Sequence, residues 1–370
     1  MFTKLKQNKA LNFERAHLIK GRRTDEMFYV YSCGSNGRYQ LGNGTDEDLN
    51  QLERVFETTF RPVKVVCGGN HTLILLENGD LFSAGDNTHG QCGIVLESDS
   101  EGDNVVRFTQ VPRIGGVPWV DCSAGYEFSV FVNESQEVYS SGFGLKGELG
   151  QGEKASKSTI LKKIDHSFNS ETKKIKSCLD HTVILLENGQ VFGWGNGRSG
   201  KLGQPAISKL WTPRQIETGF EVMNIEIGRD FTVLGGLDQN IEILGKDKFS
   251  ITSQIPNEWI DFKAMWSSVH FIKSNGQILS IGNDSHGQLT KLGDYVKYDL
   301  FEVGSEHTIL QIGQSIKSWG WGEHGNCGIN KTDSVTFDYI NEIHKFPLNE
   351  SIIGINGGCA TTWVITQSNE

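Results

Sequence analysis

Short apolar runs recur along the chain, each ended by glycine or a polar pair. LILLENGDLFSAG and VILLENGQVFGWG show the unit: two β-rich runs joined at Asn78-Gly79 and Asn188-Gly189. Those pairs supply the positive φ angles of a two-residue hairpin turn. Before the first of the two runs lies a fixed signal: a small residue, two variable positions, then His or an aromatic, then the apolar run. It reads GGNHTLILL (Gly68, His71), GYEFSVFV (Gly125, Phe128), CLDHTVILL (Cys178, His181) and GRDFTVLGG (Gly228, Phe231). It continues as SSVHFIK (Ser267, His270), GSEHTIL (Gly304, His307) and GCATTWVIT (Gly358, Thr361), at intervals of 57, 53, 50, 39, 37 and 54 residues.

A loop close to G-x-x-x-x-G-x-[LC]-G alternates with these runs. Its copies are GSNGRYQLG (Gly34 to Gly42), GDNTHGQCG (Gly85 to Gly93), GFGLKGELG (Gly142 to Gly150), GNGRSGKLG (Gly195 to Gly203) and GWGEHGNCG (Gly320 to Gly328). GNDSHGQLT (Gly282 to Thr290) loses the last glycine, and GKDKFSITS from Gly245 is degenerate, so both patterns occur seven times. Each unit is a small antiparallel sheet that cannot bury both faces alone, and its length fits a propeller blade. The chain is therefore expected to be all-β, a seven-bladed β-propeller. It begins with a loop lacking its preceding strands and ends with strands (Ile352 to Ile365) lacking a loop. The C-terminal strands should close the first blade, removing sheet edges that would invite aggregation.

Composition sharpens this picture. Among 370 residues, 44 are Gly and only 7 Pro, as many tight turns between short strands require. No apolar run approaches the roughly 18 residues needed to span a bilayer, so a soluble chain is expected. Seven cysteines without a close-spaced CxxC pair read as reduced thiols, not a disulfide framework. Residues 1–26 carry a net charge of +4 and the remainder −14. We expect residues 1–27 to be a basic extension, disordered, a targeting peptide or a spurious start, and residues 28–366 to be the propeller. So acidic a body would repel nucleic-acid phosphates and favour basic protein partners.

Seven such units resemble the regulator-of-chromosome-condensation repeat family, over Phe28 to Thr366. The stretches MWSSVHF, SWGWGEHGNCG and GGCATTW, with the short fifth and sixth units, resemble a fungal branch of it, the α-tubulin suppressors or killer-toxin-insensitivity proteins. That resemblance implies a non-catalytic scaffold that binds a small CSL-type zinc protein, the electron donor of diphthamide biosynthesis. It also implies a tie to Elongator-dependent modification of tRNA wobble uridines, and a cytoplasmic and nuclear location. The alternative, taken from the wider family, is guanine-nucleotide exchange on a Ran-type small GTPase.

Motifs that imitate chemistry dissolve into the repeat. Three G-x-G-x-x-G matches (Gly142/Gly144/Gly147, Gly195/Gly197/Gly200, Gly320/Gly322/Gly325) share one repeat position, and no helical period follows to face a pyrophosphate. GNGRSGK (Gly195 to Lys201) has Leu202 where a P-loop needs Ser or Thr. Cys92 and Cys327, three residues after His89 and His324, fill a slot that is Leu at Leu41, Leu149, Leu202 and Leu289, so core packing and no metal is expected. His71, His181, His270 and His307 share a slot with Phe128, Phe231 and Thr361, which makes them space-fillers hydrogen-bonded to backbone, not general bases. Neither catalytic residues nor a cofactor site is expected. Trp194 and Trp319 belong to the repeat, whereas Trp266, Trp321 and Trp363 do not recur. Trp is enriched at interface hot spots. The expected partner-binding residues are Trp321, Glu323 and His324, with Trp266 and Asp86 contributing. An acidic insertion, Glu97 to Asp103, reads as solvated surface.

Overall fold

The structure is a computed structural model that describes residues 26–96, 103–290, 292, 297–329 and 334–368. The predicted extension lies outside the described residues except for Glu26 and Met27, and the acidic insertion except for Asp103. Seven antiparallel sheets, one per repeat, close into a propeller. Running outward from the channel, blade 1 orders Glu350–Gly357, Thr361–Ser368, Phe28–Gly34 and Leu49–Thr58. The C-terminal strand thus pairs with the first strand of the chain, from Phe28↔Gln367 to Gly34↔Thr361, which is the closure expected from the pattern order.

Blades 2, 3, 4 and 7 are also four-stranded, with inner strands Pro62–Cys67, Trp119–Ala124, Thr172–Cys178 and Leu300–Val303. Blades 5 and 6 have three strands among the described residues, starting at Val222–Ile227 and Asp261–Ala264, in keeping with their short spacing.

One glycine slot explains why the loop repeats. The first loop glycine lies opposite the first residue of the second strand in every blade, as Gly85↔His71 and Gly320↔His307 do. At Gly320 φ is +112°, and a Cβ would sit 2.6 Å from the Glu306 carbonyl oxygen. Neither the angle nor the space admits a side chain. The second glycine slot is less strict, since Tyr39 and Ser250 occupy it at φ of 62° and 53°.

This register corrects the reading of blade 6. Ser268, not His270, lies opposite loop Gly282, so the turn comes two residues earlier than the sequence pattern suggested. Met265 and Trp266 form that turn, and His270 points into the core two positions along. Trp363 stands at the same core position in blade 1, with no exposed surface, and its indole N–H donates to Thr361 Oγ1 at 3.0 Å.

Adjacent blades are clasped by hydroxyls. Ser129 Oγ donates to the Gln91 carbonyl (2.7 Å), Thr232 Oγ1 to Lys201 (2.7 Å), Thr308 Oγ1 to Gln288 (2.9 Å) and Thr362 Oγ1 to Asn326 (2.8 Å). Each bond ties a second strand to the loop of the preceding blade. Two of the histidines, expected to bond backbone, also join these clasps. His71 Nε2 lies 2.7 Å from Ser129 Oγ, and His307 Nε2 lies 3.0 Å from Thr362 Oγ1. Both hydroxyls already donate to a carbonyl, so the imidazoles donate to them. His270 lies between the hydroxyls of Ser268 and Ser280. Burial pushes His71, His181 and His307 down to about 4, and His270 to about 3, so all four are neutral spacers. Leu41, Cys92, Leu149, Leu202 and Cys327 are buried in their shared slot; Leu289 is only half-buried.

Candidate partner-binding face

Every second residue of an inner strand faces the channel, and those residues form a charge ladder that the sequence reading missed. Lys64 pairs with Asp121 at 2.6 Å, Lys174 and Lys176 with Glu226 at 2.8 and 3.0 Å, and Lys263 with Glu302 at 3.0 Å. Asn224 bridges layers by accepting from Lys174 (2.7 Å) and donating to Asp261 (2.8 Å). Burial alone would raise the Glu226 carboxyl, but Lys174, Lys176 and Lys263 hold it down at about 2. Burial lowers Lys174 to about 8 in spite of Glu226. Among the described residues these channel cations and carboxylates neutralise each other.

The face that carries the glycine loops is different. There the turns between inner and second strands ring the channel mouth, and the loops lie outside them. The residue after each first loop glycine donates its N–H to a turn carbonyl: Asp86 to Asn70 (2.8 Å), Asn196 to Asp180 (2.8 Å), Asn283 to Ser267 (3.0 Å), Trp321 to Glu306 (2.9 Å). Consecutive turns are bonded too, Arg229 to Trp266, Trp266 to Ser305 and Ser305 to Gly358, at 2.9 to 3.0 Å. The platform is thus braced both radially and around the ring. At its centre lies a cavity of about 140 Å³ walled in part by Trp266, Leu179, Cys67, Cys178 and Cys359. Burial raises those three thiols to about 11, 12 and 12, which leaves them protonated and poorly nucleophilic.

All five sequence-predicted residues lie on this face, but they do not form one cluster. Trp321 and His324 meet edge to face at 5.6 Å, and His324 Nδ1 lies 2.7 Å from Asp48 of blade 1. Trp321 is half-buried and Glu323 exposed beside it. Trp266 sits one blade away in the turn ring. Asp86 lies in blade 2, beyond blade 1, and its carboxylate accepts from Thr88 N–H (2.9 Å) and Oγ1 (2.6 Å).

The residue that sequence reasoning missed is Glu306. Its half-buried carboxylate accepts from Ser267 Oγ (2.6 Å) and Gln288 Nε2 (2.8 Å), and among the described residues it has no ion pair. Burial pushes it up, and those two hydrogen bonds oppose this only in part. The signal was available in the repeat. Four residues after the first loop glycine, a basic side chain reaches an acid in the next blade's turn: Lys146 to Asp180 at 2.8 Å, His89 to Glu127 at 4.0 Å. His286 occupies that position before Glu306. It forms no such pair; its ring lies 6.2 Å from Trp321, and its Nδ1 has no hydrogen-bond partner among the described residues.

A ring of seven sheets, with every first loop glycine fixed by a turn carbonyl, defines a repeat-built β-propeller. The profile of the Regulator of chromosome condensation (RCC1) repeat matches residues 29–75, 78–132 and 188–234, and a second profile of that repeat matches 63–91 and 174–201. An RCC1 repeat-containing protein of Schizosaccharomyces pombe is 30% identical over 362 residues, covering 92% of this chain and 99% of the relative. The chain belongs to the RCC1 repeat family. The secretion-regulating guanine nucleotide exchange factor of Bos taurus is 25% identical over 360 residues, covering 81% of this chain and 75% of its own. Prp20p of Saccharomyces cerevisiae superposes with a TM-score of 0.77 at 19% identity, over 92% of this chain and 91% of that one, a likeness of fold.

Proposed function

We propose that the chain is a non-catalytic scaffold whose glycine-loop face binds a small CSL-type zinc protein. On this reading it acts in diphthamide biosynthesis and Elongator-dependent tRNA wobble-uridine modification, in cytoplasm and nucleus. The observation that carries the reading is where the branch-specific stretch falls. SWGWGEHGNCG buries Trp319 and Cys327 in the blade yet leaves Trp321, Glu323 and His324 at the surface. Side chains that the repeat does not require thus stand on a braced platform, one blade away from a second half-buried tryptophan, Trp266. Paired charges in the channel and cavity thiols that burial keeps protonated fit a binding role.

Exchange activity on a Ran-type GTPase is the competing reading. It draws on the exchange factor named above and on Prp20p, studied for its binding to Gsp1p and histones. Copurification from the native cell with mass spectrometry separates the two by the partner recovered. Truncating a central interface Trp typically costs on the order of 2 kcal/mol, about thirtyfold in affinity. Trp321→Ala should therefore weaken zinc-protein binding in calorimetric titration while the thermal melt stays unchanged. Binding at wild-type affinity would remove Trp321 from the site.

A further inference from the structure

We infer that Glu306 is the anchor for a cationic side chain, lysine or arginine, that the docking protein inserts into the turn of blade 7 beside the Trp321 loop. The inference rests on the reading of this face as a partner site and adds the chemistry of the contact. Three observations carry it. First, Glu306 is held in place but not neutralised: Ser267 and Gln288 fix its two oxygens, and no cation lies within ion-pair distance among the described residues. Second, its counterpart in blade 4 shows what the repeat does when the acid is purely structural. Asp180 receives Lys146 and Lys201, each at 2.8 Å, and Asn196 at 2.6 Å. Third, both tryptophans are tied to its neighbourhood. Trp321 N–H donates to the Glu306 carbonyl, and Trp266 N–H donates to that of Ser305.

Charge complementarity selects the occupant. The other groups facing Glu306 are His286, which makes no ion pair with it, and Arg229, which is engaged with Asp230 at 3.3 Å. The loop of blade 1 beside His324 adds Asp46, Glu47 and Asp48 to the same sector. An anionic or purely apolar partner group would leave the carboxylate desolvated and unpaired, at a cost.

The test uses the folded chain with two probes. Tetra-arginine, with tetra-glutamate as control, is titrated while tryptophan fluorescence is followed. Glu306→Gln should weaken tetra-arginine about tenfold, as loss of a charged hydrogen bond does. Asp46→Asn, an exposed acid on the same face, should change it less than about twofold. Equal effects of the two variants, or no effect of Glu306→Gln, would overturn the inference. The small zinc protein is then titrated by calorimetry, where Glu306→Gln should cost roughly thirtyfold or more. If the zinc protein ignores the wild type while tetra-arginine still depends on Glu306, the partner reading fails and the anchor stands. If the zinc protein binds wild type and Glu306→Gln alike, the anchor fails and the partner reading stands. Thermal melts of every variant confirm that the propeller is folded.

Discussion

At blade 4 the turn carboxylate Asp180 meets Lys146, Lys201 and Asn196; at blade 7 the turn carboxylate Glu306 meets a serine and a glutamine. The two acids occupy one repeat position, just before the second strand, yet their carboxyls shift in opposite directions. Burial alone would raise the Asp180 carboxyl, but His181, Lys201 and Lys146 hold it far below the usual range. At Glu306 burial prevails and the carboxyl is raised. The first corner uses its acid to join loop, turn and neighbouring blade. The second keeps a poorly compensated carboxylate in a turn whose backbone carbonyl receives the Trp321 N–H. A repeat fold makes such departures readable, because six other copies show what folding alone requires.

The largest expected effect of breaking this comparison is at the structural corner. Asp180→Ala leaves Lys201, whose side chain is only 3% exposed, with an uncompensated charge. Removing one member of a buried pair typically costs about 3–5 kcal/mol. Urea denaturation should show a loss of that order, and a loss under about 1 kcal/mol would mean that Lys201 is solvated.

The next variant makes blade 7 resemble blade 4. His286→Lys places Lys146's counterpart beside Glu306. It should add up to about 1 kcal/mol of stability and lower affinity for the zinc protein about tenfold, because the anchor is already occupied. Undiminished affinity in titration would argue that Glu306 is not the contact.

The smallest effect is on pH dependence. A carboxyl raised by folding binds its proton more tightly in the folded state. As pH falls through its folded value, above the usual glutamate 4.5, wild type should gain stability relative to Glu306→Gln. Asp180, held low, has the opposite sign: its contribution is present above 3.8 and is lost as pH falls towards its depressed folded value. Melts of Glu306→Gln and wild type from pH 7 to pH 4 test this. A wild type that loses ground as pH falls would reverse the assignment.

The seven units, their closure and the Leu/Cys slot were legible because each is written as a local pattern. Blade 6 was misaligned by two residues because Met265 stands where the other blades have Gly or Cys, and Ser268 where they have His, Phe or Thr. Trp363 looked unusual only until its slot, shared with Leu73 and Val130, was recognised as core. The hydroxyl clasps and the channel ladder escaped because their partners come from neighbouring blades; Lys64 and Asp121 are 57 positions apart. Glu306 escaped for a further reason: its distinction is a missing partner, and that becomes visible only once the Lys146–Asp180 pair is seen in space.

The most direct measurement is hydrogen–deuterium exchange of the propeller, free and saturated with the small zinc protein. Binding on the glycine-loop face at blades 6 and 7 predicts protection in peptides covering residues 264–268, 284–290, 304–308 and 320–326. The hairpin turns at Asn78-Gly79 and Asn188-Gly189, on the opposite face, should exchange at unchanged rates. Protection of those hairpins, with the blade 6 and 7 peptides unaffected, would contradict the account.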